Sequence, residues 1–138
     1  MASQRTVLTL DDAEAVIAAA RAKAAEISVP MALVVVDHAG QQIASQKMDD
    51  SPLMALSMAG GKAYTAVGMG QPTSMWEEAG TANASFAGSI TSVPGFTPFG
   101  GGVPLHVDGV LVGALGVSGG STEQDVTVAD AGATALGR

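Results

Sequence analysis

Few residues in this chain have side chains suited to chemistry, so each can be weighed singly. Lys62 stands in Ala59-Gly60-Gly61-Lys62-Ala63-Tyr64, a cation among small residues in a segment of helical character. A lysine so placed snorkels to solvent, pairs with an acid such as Asp37 or Asp49, or meets an anionic ligand in a pocket. His38 and His106 are the only histidines. Each suits acid–base work or ligation if one ring nitrogen opens on a cavity; the plainer readings are a turn residue for His38 and a satisfied strand residue for His106. No histidine pair has metal-ligand spacing, and without cysteine both thiolate chemistry and disulfides are excluded. Gly100-Gly101-Gly102 lacks the strand–loop–helix setting and the Gly-Lys-Ser/Thr ending of a phosphate loop. Ser118, in Gly-Val-Ser-Gly-Gly, has the glycine spacing of a nucleophile elbow, but no turn into a helix follows directly and no histidine can be assigned as its base. The catalytic candidates are therefore Lys62, His38 and His106. The ligand-binding candidates are Lys62, Tyr64, Phe96, Phe99, Gly100, Gly101, Gly102 and His106, and no metal site is expected.

The aromatic residues reinforce this choice. Tyr64, Trp76, Phe86, Phe96 and Phe99 are the whole aromatic supply, and all fall between positions 64 and 99. Residues 80–98 show no periodicity and read as a long loop wrapped over a pocket or an interface, since unstructured loops of this length are usually functional or disordered. Lys62, the phenylalanines and the glycine-rich loop thus predict a pocket lined from the second helix, from Phe96 to Gly102, and from a histidine of the sheet.

The elements that must position these residues can be read from pattern. Asp108-Gly109 between two apolar runs predicts a tight hairpin, because a type I′ turn needs positive φ at both central positions. That turn pairs Val107 with Val110, His106 with Leu111, Leu105 with Val112 and Val103 with Ala114, and leaves both faces largely apolar, to be covered by helices or another subunit. Met31–Asp37 is a buried central strand. Asp37-His38-Ala39-Gly40 is its turn, and Gln41–Met48 pairs back. Helices are predicted over 9–27, capped by Thr9 with Leu10, Ala13, Ile17, Ala20, Ala24 and Ile27 inward, and over 51–69, capped by Ser51 with Pro52 in the first turn. A short helix is predicted over 73–79. A last helix runs from a Thr122 cap to about Leu136, with Val126, Ala129, Ala133 and Leu136 buried. The two glycines within the second helix each cost about 1 kcal/mol relative to alanine, which points to close backbone approach there.

The bulk composition sets limits. A chain of 138 residues makes a single domain, 1–138, and no apolar run reaches membrane-span length. The start of the chain lacks a signal-peptide h-region, so a cytoplasmic location is expected. A net charge of −7 disfavours nucleic acid and anionic membranes as partners. Charged residues are only 14% of the chain, too few to cover a small monomer whose apolar fraction is 47%, so self-association is expected.

The ordered blocks VVVDHAG, KMD, AGGKAYTA, PFGGGVPL, DGVLVGALGVSGG and QDVTVADAGATAL resemble the GlcG/HbpS family, the haem-binding or haem-degrading domain family that includes the C-terminal domain of PduO. The resemblance spans nearly the whole chain. It implies an α/β (α+β) fold of profilin-like type, an antiparallel sheet flanked by helices, and homo-oligomers that are often octamers. Some members of the family bind haem, with an axial ligand that differs among members, so haem is the cofactor precedent the resemblance gives. Two departures are visible. Lys47-Met48-Asp49 stands where the family usually has Arg-Met-Asp, and lysine cannot make arginine's two-pronged grip on a carboxylate. The spaced acidic iron motif of a secreted member has no match, Glu77 and Glu78 being adjacent.

The functional reading is a cytoplasmic homo-oligomer binding haem or another planar or anionic small molecule. The alternative is a small enzyme (isomerase, lyase or hydrolase) acting on an organic acid or ring metabolite in the same pocket; a third reading is an accessory oligomer without chemistry. Light scattering at micromolar concentration is expected to give a mass that is a multiple of the 13.6 kDa chain; a species of one-chain mass alone would refute self-association.

Overall fold

The run Ala-Leu-Val-Val-Val-Asp is buried on both faces through Val36, and the rest of the sheet is laid beside it. A computed structural model describes residues 2–136. Its elements are α1 (Leu10–Glu26), β1 (Ala32–Asp37), β2 (Gln42–Lys47), α2 (Ala55–Met69), α3 (Thr73–Ala82), α4 (Ala84–Ser89), β3 (Gly102–Val107), β4 (Val110–Ser118) and α5 (Thr122–Ala133), with single 3-10 turns at Ile90–Ser92 and Thr134–Leu136. The sheet has four strands in the order β2-β1-β4-β3, every neighbouring pair antiparallel. This is the expected α+β architecture. None of the described helices is long and apolar enough to cross a membrane.

Both faces of the sheet are covered, as the two-sided apolar hairpin predicted. α1 and α5 close one face over Leu33, Val35, Leu105, Val112, Leu115 and Val117, and α2 closes the other over Val34, Val36 and Ala114. β2 is the exposed edge, polar and short, which blunts pairing with other chains. The β1–β2 turn is set by Asp37, whose Oδ1 accepts the backbone N–H of Ala39 (2.9 Å) and of Gln41 (3.0 Å). In the other hairpin Asp108 and Gly109 both take positive φ, as a type I′ turn requires.

Register is where the sequence reading departs from the structure. Val107 faces Val110 and His106 faces Leu111 as predicted, but a bulge between Leu105 and His106 then shifts the pairing, so that Leu105 faces Gly113 and Val103 faces Leu115. The extra residue on β4 turns Leu115 and Val117 toward α1 and α5, the side that Val112 already faces.

Helix boundaries moved for identifiable local reasons. α2 starts at Ala55, because the Ser51 hydroxyl donates to the Met48 carbonyl (2.7 Å) and closes a turn ahead of the helix. α5 is capped by Ser121, not Thr122: Ser121 and Gln124 form a reciprocal capping box. Residues 80–98 are not structureless. α3 continues to Ala82, and Asn83 then caps α4 by accepting the Phe86 N–H (3.1 Å). On α1, Leu10 is exposed while Val16 is fully buried. On α5 the buried positions are Asp125, Val128, Ala129 and Gly132.

Close backbone approach fixes how α2 sits. A Cβ on Gly116 of β4 would overlap the Ala59 carbonyl oxygen, and one on Gly61 would overlap the Thr97 hydroxyl, whereas Gly60 faces open space. The compensation expected for both helix glycines is present at Gly61 alone. Gly116→Ala is expected to lower stability by about 1–3 kcal/mol through overpacking. Gly68→Ala, on open helix surface, is expected to raise it by up to about 1 kcal/mol. Urea midpoints of the two variants check both signs.

Candidate functional site

Lys62 lies on the face of α2 that packs against β3 and β4, and it is 2% exposed. Its Nζ donates to the Val117 carbonyl (3.0 Å) and to Asp125 Oδ2 (2.9 Å). Asp125 Oδ1 accepts the Gly120 N–H (3.0 Å). The ion pair therefore ties α2, the end of β4 and the first turn of α5 to one point. The sequence reading offered Asp37 or Asp49 as the partner of Lys62; the partner is Asp125. Its position on the buried stripe Asp125, Val128, Ala129, Gly132 was the available signal, an acid on an otherwise apolar face. Burial pushes the Asp125 carboxyl above its ordinary pKa, opposed by the Lys62 ammonium and the Gly120 amide.

The glycine-rich loop closes over this pair. Gly101, at φ 125°, lies so near that a Cβ there would come 2.5 Å from the Val117 oxygen and 3.1 Å from Lys62 Nζ. Three side chains hold the loop by its backbone N–H groups. Thr65 accepts from Thr97 (2.7 Å), Glu77 from Gly100 (2.7 Å) and Thr73 from Gly102 (2.8 Å).

The loop separates two cavities. One, of about 300 Å³, has Lys62, Asp125, Ser118 and Gly120 among its lining residues, with Met54, Met58 and Phe99 as apolar wall. The other, of about 420 Å³, lies between α3 and residues 86–99 and is lined by Trp76, Phe86, Ile90, Phe96, Pro98 and Phe99, with Glu77, Thr81 and Thr91 as polar groups. Trp76 stacks on Phe86 (5.8 Å between centroids, 21°) and meets Phe96 edge-on (5.9 Å, 73°). Trp76 Nε1 is buried and has no hydrogen-bond partner among the described residues, a costly state that an acceptor on a ligand would relieve.

The structure brings some of the predicted residues together and leaves others apart. Lys62 and Phe99 share the first cavity, Phe96 and Phe99 the second, and Gly100, Gly101 and Gly102 belong to the segment between them. Tyr64 is half exposed, its ring against Gly95 and Gly40, and lines neither cavity. His38 is exposed in the β1–β2 turn, and His106 is partly buried on β3 opposite Leu111. Neither histidine lines these cavities, so Lys62, His38 and His106 do not converge. Asp125, Trp76, Phe86, Met54 and Met58 are lining residues that sequence reasoning left out of the site. No group of three His, Cys, Asp or Glu residues suited to a metal ion occurs among the described residues.

A four-stranded antiparallel sheet between α2 and the α1–α5 pair is the fold of a known class. The chain belongs to the family described as haem-degrading protein HbpS-like, whose profile matches residues 8–134. Among its relatives is an uncharacterized 15.0 kDa protein of the dhaT-dhaS intergenic region of Citrobacter freundii, 39% identical over 128 residues, which are 92% of this chain and 90% of the relative. Klebsiella pneumoniae protein ORFY has a similar solved structure (TM-score 0.91, 31% identity, covering 99% of this chain and 96% of that one). So does PduOC, solved as its haem complex (TM-score 0.86, 32% identity, covering 94% and 95%).

Replacing Lys62 tests the pair. Lys62→Met leaves the Asp125 carboxylate buried without its cation, so a loss of about 3–5 kcal/mol is expected at neutral pH. Removing the ammonium also raises the Asp125 pKa further. Both folded-state values lie above the unfolded one, the variant's further, so as pH falls through the variant's value its uncompensated charge is neutralised while the wild type keeps its pairing, and the gap narrows. Urea denaturation of both proteins at neutral and at mildly acidic pH measures it; a gap that widens on acidification would contradict this account.

Proposed function

We propose that this protein is a homo-oligomeric small-molecule-binding protein of the HbpS/GlcG type, whose ligand is a planar, mostly apolar ring system held in the aromatic cavity. The observation behind this reading is the buried, unpartnered indole N–H of Trp76 beside Phe86 and Phe96. Flat rings stack on such a cluster, and an acceptor at the ring edge satisfies the indole. Exposed apolar side chains at the start of α2 and on the glycine loop favour self-association, since Leu53 is 90% and Met54 68% exposed.

Haem is the ligand in one relative's structure. The cavity of this chain supplies ring-stacking walls, but among the described residues no histidine, methionine, cysteine or tyrosine lines it. It therefore fits one edge of a macrocycle and offers the iron no customary axial ligand. The reading is thus of ring recognition, and no step is routed through iron. An enzyme reading has less behind it, because Lys62, His38 and His106 lie apart.

Haem and iron-free protoporphyrin IX separate ring recognition from iron ligation. Trp76 is the chain's sole tryptophan, so its emission reports on this cavity directly. Both probes are expected to quench it saturably with affinities within a few-fold of each other, and Phe86→Ala to weaken both by about tenfold, a stacked pair and its buried area being worth roughly 1–2 kcal/mol. Saturable binding of haem alone, or affinity untouched by Phe86→Ala, would count against the reading.

A further inference from the structure

The cavity over the Lys62–Asp125 pair is a second place for a ligand, and its donors outnumber its acceptors. Ser118 is 6% exposed and lines this cavity, and its hydroxyl has no hydrogen-bond partner among the described residues. Lys62 Nζ has three N–H groups, two of them engaged by Val117 and Asp125, which leaves the third without an acceptor among the described residues. Thr122 lines the same space at the first turn of α5.

The carboxylate acceptors on the protein side are already engaged. Among the described residues Asp125 is the only acid in the lining, with one oxygen on Lys62 and the other on the Gly120 N–H. The ion pair is neutral as a whole, and the unmatched donors of Ser118 and Lys62 remain for acceptors on a ligand. The cavity's remaining wall is apolar: Pro52, Met54, Met58 and Phe99. A fully hydrated inorganic anion gains nothing from such a wall, and an uncharged hydrocarbon leaves Ser118 and Lys62 unsatisfied. The volume, about 300 Å³, limits the occupant to a small molecule.

We propose that this cavity binds a small monocarboxylate with a compact apolar body. The carboxylate oxygens accept from the Ser118 hydroxyl and the free N–H of Lys62, and the body lies against Met54, Met58 and Phe99. The site shares only Phe99 with the aromatic cavity and does not depend on ring binding there.

Benzoate is a suitable probe, with benzamide as its uncharged isostere and inorganic phosphate as an anion without an apolar body. Titrations of the full chain followed by amide and indole NMR are expected to show saturable benzoate shifts at Gly119, Gly120 and Thr122, with affinity at least tenfold above either comparator. Ser118→Ala is expected to weaken benzoate about three- to tenfold and Lys62→Gln at least tenfold. If Lys62→Gln does not fold, Ser118→Ala decides, since it leaves the ion pair in place. Equal affinity for benzoate and benzamide would overturn the proposal. So would shifts centred on the Trp76 indole, or wild-type benzoate affinity in Ser118→Ala.

Discussion

One buried ammonium organises this molecule. Lys62 is excluded from water on a helix of small residues, and an isolated charge in that setting is prohibitively costly, so its partners fix the arrangement of everything near it. The first turn of α5 must bring Asp125 to it, and the end of β4 must turn the Val117 carbonyl toward it. The Gly120 N–H completes the set by holding the second carboxylate oxygen. Exchange of such a pair for apolar residues is often neutral or stabilising in proteins, so its contribution here is better sought in geometry than in net stability. It sets one placement of α2 relative to α5 across the sheet.

The glycines follow from that placement. Gly116 lets α2 lie directly on β4, and Gly101 lets the loop pass over the ion pair at a distance that no side chain permits. Because Thr65, Glu77 and Thr73 each accept one of the loop's N–H groups, the segment from Thr97 to Gly102 is a braced wall with a different cavity on either side. Phe99 reaches both. The polar cavity and the aromatic cavity are thus two consequences of a single loop path.

Membership of the HbpS-like family and the likeness to PduOC in its haem complex bring haem into consideration. The aromatic cavity offers what a flat ring needs, namely stacked and edge-on aromatics and an unsatisfied donor. The histidines lie elsewhere, His38 in a turn and His106 on β3. In this chain the proposed ring recognition and metal ligation are separate questions.

Patterns of short range were legible without a structure. The β-branched run of β1, the Asp37 and Asp108-Gly109 turns and the Thr9 cap depend on residues within a few positions of one another, and all appear where the sequence put them. The six motif blocks sufficed for the family, and with it the fold. The clustering of aromatics between 64 and 99 announced a pocket, though not that Tyr64 would stand outside it. What tertiary structure alone decided depends on pairing between distant segments. The bulge at Leu105–His106 re-faces β4 because the side-chain period of a strand is two, so a single extra residue reverses each position beyond it. The partner of Lys62 lies 63 positions away on another helix, nearer in space than the acids closer to it in sequence. Neither fact is encoded by local spacing; both arise only when α2 and α5 close on the two faces of the sheet.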